Sequence, residues 1–111
     1  MYNIYFRSVK ELKLNKIDTI RAGSWVNVCN PSQEEIELIV KDTKIDKSLI
    51  LDALDQYEVP RVEQKRGIIY VFARYPEEKK GEITTSPLLI AIGKDFVLTL
   101  SKEACSFLDY F

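Results

Sequence analysis

Asp52 and Asp55 lie three residues apart in the stretch Leu51-Asp52-Ala53-Leu54-Asp55, and one turn of helix would bring both carboxylates to the same side. Hard cations such as Mg²⁺ take oxygen ligands and keep several waters, so one or two carboxylates suffice for a weak site. On most amphipathic helices such a pair is only solvated charge, and the spacing alone leaves both readings open. Other chemistry has less to work with. The chain has no histidine, which removes the commonest general base and the commonest transition-metal ligand. Cys29 and Cys105 stand apart without CxxC spacing, a pattern that fits a reducing, cytosolic setting and no thiol catalysis. No glycine-rich phosphate cradle is present. A carboxylate-pair hydrolase would need two acids converging from separate elements, which adjacent helical positions do not supply. The expectation is a protein that is not an enzyme.

The element that must present these acids runs from Ile45 to Glu63. Asp46 reads as a helix N-cap, with Ile45 before it able to staple onto Ile50. At about 100° per residue, Ile50, Ala53, Leu54 and Tyr57 share one arc, and Asp52, Asp55 and Gln56 lie opposite. The helix should stop near Glu58, because a residue before proline is pushed out of the helical region and Val59 precedes Pro60. Arg61 to Glu63 should leave extended, and Glu58 is placed to pair with Arg61.

Around that helix the remaining elements follow in order. Tyr2 to Arg7 reads as a strand, a second short strand is expected near Leu12 to Leu14, and Trp25 to Val28 alternates as a buried strand ending at Asn30-Pro31. Trp25 and the other aromatics read as core. Ser32 with Glu35 forms a capping box for a helix that buries Ile36, Ile39 and Val40 and ends around Lys44. Three nearly continuous apolar runs, Gly67–Ala73, Leu88–Ile92 and Phe96–Leu100, read as antiparallel strands with both faces covered. Arg66-Gly67 and Gly93-Lys94-Asp95 supply turns, Glu77 to Glu82 a polar tip, and Ser86-Pro87 an edge or bulge device. From Lys102 onward the spacing turns helical, with Ala104, Phe107, Leu108 and Phe111 on one stripe. That stripe is still running at the last residue, which predicts a piece cut from a longer chain.

Composition bounds the partners. The 111 residues are 46% hydrophobic and 30% charged, with a formal net charge of −1, as expected of one soluble domain spanning 1–111. The charge is uneven: residues 1–24 carry five Lys/Arg against two acids, and residues 34–63 carry nine acids against four Lys/Arg. No basic stripe points to nucleic acid, and the apolar runs are far too short to span a membrane.

Several stretches together resemble one family. Trp25-Val26-Asn27-Val28 followed by Pro31-Ser32-Gln33-Glu34-Glu35, then Leu51 through Glu63, Tyr70 through Pro76, Thr85-Ser86-Pro87-Leu88 and Val97-Leu98-Thr99 are similar to the cytoplasmic N-terminal domain of CorA-type magnesium and cobalt transporters. The densest match is the LxDxLD stretch running into E-x-P-R-x-E.

The resemblance implies an α/β/α sandwich with a mixed, largely antiparallel sheet. It also implies a longer protein in which this domain leads into a stalk helix and transmembrane helices of a homopentamer at the cytoplasmic face of the cell membrane. The chain lacks the stalk, the spans and the Gly-Met-Asn pore signature, so it would be the regulatory domain of a divalent-cation transporter. Its implied partners are its own stalk and transmembrane region, neighbouring subunits and Mg²⁺, bound weakly. By itself the fragment is expected to be monomeric. Matched by motif, Asp52 is the position that carries the family's Mg²⁺-sensing role, whereas Leu51 stands where some relatives have a second acid. The alternatives are an oligomerisation adaptor or a small-ligand binding module without metal sensing.

Overall fold

Side chains alternate across a strand, so strand register decides which residues meet the helices. The structure, a computed structural model, describes residues 1–6 and 15–103. Its strands are β1 (Tyr2–Phe6), β2 (Asn15–Ile17), β3 (Ser24–Cys29), β4 (Arg61–Lys65), β5 (Ile68–Lys79), β6 (Glu82–Ile92) and β7 (Phe96–Ser101), with helices α1 (Gln33–Thr43) and α2 (Lys47–Ala53) between β3 and β4. One seven-stranded sheet has the order β2-β1-β3-β7-β6-β5-β4. Among the described strands, β3 and β7 pair in parallel and the other neighbours are antiparallel. A parallel pair needs a long connection, and both helices lie in it. This is the mixed, largely antiparallel sheet with helices that the sequence suggests.

Two register rows line the core side of the sheet: Ile4, Val26, Leu98, Ala91 and Tyr70, and beside it Tyr2, Val28, Leu100, Leu89 and Phe72. They form one apolar cluster with Ile36 and Ile39 of α1, Ile45 before α2, and Leu49, Ile50 and Ala53 of α2. The opposite rows run through Asn3, Asn27, Thr99, Ile90 and Val71, and through Tyr5, Trp25, Val97, Ile92 and Ile69. Here the expectation of strands covered on both faces fails in part, since Ile69, Ile92 and Val97 stay about 40% exposed (39%, 41% and 41%). Trp25 sits on this side against Tyr5, ring centroids 5.2 Å apart, and its indole N–H donates to Thr99 Oγ1 at 2.9 Å.

The local signals for α1 are all realised. Ser32 and Glu35 close a reciprocal capping box, and Lys44 ends the helix in a left-handed conformation with its N–H on Val40 O. Arg66-Gly67 and Lys80-Gly81 both turn with positive φ at each residue, the two-residue geometry that matches strand twist. The second turn narrows the expected polar tip to two residues, because β5 and β6 stay paired out to Lys79 and Glu82. Pro87 lies one residue beyond the last β6–β7 pair, Leu88 with Ser101, so its missing N–H interrupts no bond to β7. The strand expected at Leu12–Leu14 lies outside the described residues, as does the helical tail expected from Lys102 beyond its first two residues, Lys102 and Glu103, which form a bend.

Helix α2 is shorter than its periodicity suggests. It ends at Ala53 with Leu54 as C-cap, and Tyr57, expected on the buried arc, is 87% exposed. A turn competes successfully with the helix here: Asp55 Oδ1 accepts from Tyr57 N at 3.0 Å, and Glu58 N donates to Asp55 O at 3.1 Å. Short acidic side chains stabilise such turns by bonding the backbone two residues on.

Candidate functional site

The start of α2 is set by Asp46, whose Oδ1 accepts from Ser48 N at 2.8 Å and whose own N–H donates to Tyr70 Oη at 3.1 Å. Lys65 of β4 closes on Asp46 Oδ2. The Lys65 ammonium, together with the bonds from Ser48, holds the Asp46 carboxyl well below the usual carboxylate range. Ile45 and Ile50 are buried on either side of this cap, as a hydrophobic staple requires. The helix is therefore anchored at its first turn to the β4–β5 hairpin.

Its last turn is anchored as well, through Arg61 at the start of β4. The guanidinium Nη2 lies 3.4 Å from Asp52 Oδ2, Nη1 contacts Glu58 Oε1, and Nε lies 3.3 Å from Glu63 Oε2. The same group stacks 3.9 Å from the centroid of the Phe72 ring. The planar, five-donor guanidinium is suited to such multiple recognition. One cation faces three carboxylates, so the cluster remains net negative. The Asp52 side chain is 48% exposed, leaving oxygen lone pairs open to solvent.

The two acids singled out by spacing are thus treated differently. Asp52 lies within the last turn of α2, partly exposed and paired to Arg61. Asp55 lies beyond the helix on the exposed turn, its Oδ1 committed to Tyr57 N. The Glu58–Arg61 pair expected at the helix exit is formed. Among the described residues no three histidine, cysteine, aspartate or glutamate side chains converge to hold a metal ion.

A second arginine shapes the same region without having been singled out in the sequence. Arg74 donates to Gln56 O at 3.0 Å and Glu58 O at 3.3 Å from Nη1, and to Thr85 O at 2.9 Å from Nη2. It fastens the 55–58 turn to the β5–β6 hairpin. Nothing in the spacing of Arg74 announces this, since its partners are backbone carbonyls and the Thr85 hydroxyl, supplied by a turn and a strand far apart in the chain.

The sheet order and the helical crossover are those of a fold also seen in solved structures of a metal-ion transporter. The soluble domain of CorA from Methanocaldococcus jannaschii superposes with a TM-score of 0.83 at 25% identity, covering 99% of this chain and 44% of that one. The complete CorA magnesium transporter from the same organism gives a TM-score of 0.82 at 24% identity, covering 99% of this chain and 35% of that one. The cobalt/magnesium transport protein CorA of Methanocaldococcus jannaschii is 29% identical over 79 residues, 71% of this chain. The profile of the CorA-like Mg²⁺ transporter protein family matches residues 21–111, and the chain belongs to that family. It spans about a quarter (25%) of the length of that curated relative. No helix among the described residues is long and apolar enough to cross a membrane.

Proposed function

We propose that this chain is the cytoplasmic regulatory domain of a CorA-like divalent-cation transporter, and that Asp52 helps read intracellular Mg²⁺. The observation that carries the reading is the half-exposed Asp52 carboxylate at the end of α2, within the stretch that resembles the family most closely. Its oxygens suit a hard cation. Asp55 adds negative charge on the following turn. Since no three ligands converge within the described residues, the remaining ligands would come from another subunit or from the stalk. A divalent ion held there would offset repulsion between facing acidic surfaces and favour one arrangement of the ring.

Partners under this reading are the chain's own stalk and membrane region, neighbouring subunits and divalent cations, at the cytoplasmic face of the membrane. The second reading, an oligomerisation adaptor without sensing, is favoured by one specific contact: Asp52 already has a cation partner, Arg61, within the chain. Flux through the full-length protein separates the two. Under the sensing reading, Asp52→Ala shifts the Mg²⁺ dependence of flux. Flux with unchanged Mg²⁺ dependence leaves the adaptor, and absence of divalent-cation flux in the full-length protein removes the transport assignment. In the isolated domain, Mg²⁺ is expected to cause small NMR shifts centred on Asp52.

A further inference from the structure

The end of α1, the start of α2 and the β4–β5 turn enclose an open cleft of about 470 Å³, lined by none of the acids of the Arg61 cluster. Its charged lining is Lys41, Lys44, Lys47, Lys65 and Arg66 against the single acid Asp46. Two of these cations are already matched, Lys65 by Asp46 and Lys47 by Glu37. Lys41, Lys44 and Arg66 take no ion-pair partner among the described residues. The surplus is notable in a stretch whose sequence is strongly acidic.

Local structure accounts for only part of this arrangement. Cations near a helix C-terminus complement its dipole, which suits Lys41 and Lys44. Yet Lys44 and Arg66 both occupy left-handed backbone positions, φ 65° and 52°, where glycine or asparagine is the low-cost choice. Both are placed on the same cleft. Tyr70 lines it as well, only 1% exposed; its hydroxyl oxygen accepts from Asp46 N, and its own O–H proton remains available to donate.

We propose that this cleft binds a small phosphate-bearing polyanion. Phosphate oxygens accept bidentate bonds from a guanidinium and point-charge contacts from ammonium groups, and a volume of this order holds a small ligand. Two or more linked phosphates offer several acceptors and charges to Lys41, Lys44 and Arg66, which line this cleft, whereas a single carboxylate offers one charge. The site is independent of Asp52 and of any divalent cation.

The test is a titration of the 111-residue chain with pyrophosphate, free of Mg²⁺, followed by ¹H–¹⁵N NMR. Shifts concentrated on residues 41–47, 65–67 and Tyr70 are expected, with affinity falling roughly tenfold for each of Lys44→Gln and Arg66→Gln. Lys80→Gln is the control, because Lys80 has the same left-handed backbone, φ 53°, but does not line the cleft; it should leave affinity unchanged. A parallel arm uses cardiolipin vesicles, whose headgroup carries two phosphates: binding to vesicles alone, lost in Lys44→Gln, assigns the phosphates to a lipid headgroup rather than a free ligand. Absence of binding in both arms, or shifts spread evenly over exposed lysines and insensitive to Lys44→Gln and Arg66→Gln, overturns the proposal.

Discussion

Arg61 Nη2 lies 3.4 Å from Asp52 Oδ2 across nine residues of chain, so the acid proposed to meet a divalent ion already has one cation within its own domain. The same guanidinium ties the end of α2 to Glu58, Glu63 and the Phe72 ring. Removing it should loosen the α2–β4 junction. Arg61→Ala is expected to lower unfolding free energy by about 1–3 kcal/mol, combining a cation–π contact with partly exposed ion pairs. Urea denaturation reads this directly, and Arg61→Lys should fall between the two because it retains charge but not the fork.

Asp52→Asn should be much milder, below about 1 kcal/mol, since a half-exposed ion pair is worth little. A double-mutant cycle with Arg61→Ala measures the coupling. A coupling well above that range would mean that Asp52 is chiefly a structural residue, which weakens the sensing role proposed for it.

Acid should destabilise the helical crossover. Glu35 is held below the ordinary carboxylate range, first by its bond from the Ser32 backbone in the capping box, and Asp46 is held low first by Lys65. For both groups the folded pKa lies beneath the unfolded one. Their contribution is therefore complete above the unfolded carboxylate value of about 4 and is lost as pH falls through the lower folded values. Ser32→Ala should cost about 1 kcal/mol at neutral pH by deleting the cap. Chemical denaturation from pH 7 down to pH 2 checks the slope, which Glu35→Gln and Asp46→Asn should each flatten.

The buried and exposed apolar positions of the crossover should separate cleanly. Ile39 is fully buried in α1, and Ile39→Ala should cost about 2–5 kcal/mol through lost burial and the cavity left behind. Tyr57→Ala, at a site 87% exposed, should stay within about 0.5 kcal/mol. A large loss at Tyr57 would contradict the short α2 described above.

Gly93 faces the Phe96 ring so closely that an added Cβ would lie 2.5 Å from Phe96 Cε1. Because that ring is itself buried, it has little room to withdraw, and Gly93→Ala should destabilise the β6–β7 turn by about 1–3 kcal/mol. Thermal unfolding of the variant checks this. Phe96→Leu in the same background should recover part of the loss, which backbone strain alone would not predict.

Local signals were legible wherever the chain supplies both partners of an interaction within a few residues. The Ser32–Glu35 capping box, the Asp46 cap with Ile45 and Ile50 across it, and the Arg66-Gly67 turn could all be read directly. Period-two alternation likewise marks Trp25 to Val28 as a buried strand, whereas the continuous run Phe96–Leu100 reads as covered on both faces, although Val97 stays exposed. The length of α2 was not legible, because periodicity carries the helix on to Tyr57, while the Asp55 turn and its clamp by Arg74 depend on a hairpin that folds back from residues 74–85. The same holds for the extent of β5 and β6, whose polar ends pair because each supplies the other's backbone partners.

Sequence by itself determined the element types, most of the core and the position of Asp52, since these follow from spacing, caps and side-chain chemistry along a short length of chain. Tertiary structure alone decided that Arg61 stands against Asp52, that Asp55 leaves the helix, and that Lys41, Lys44 and Arg66 line one cleft. Each depends on contacts between segments brought together by the sheet, and such contacts leave no periodic trace in the linear order of residues.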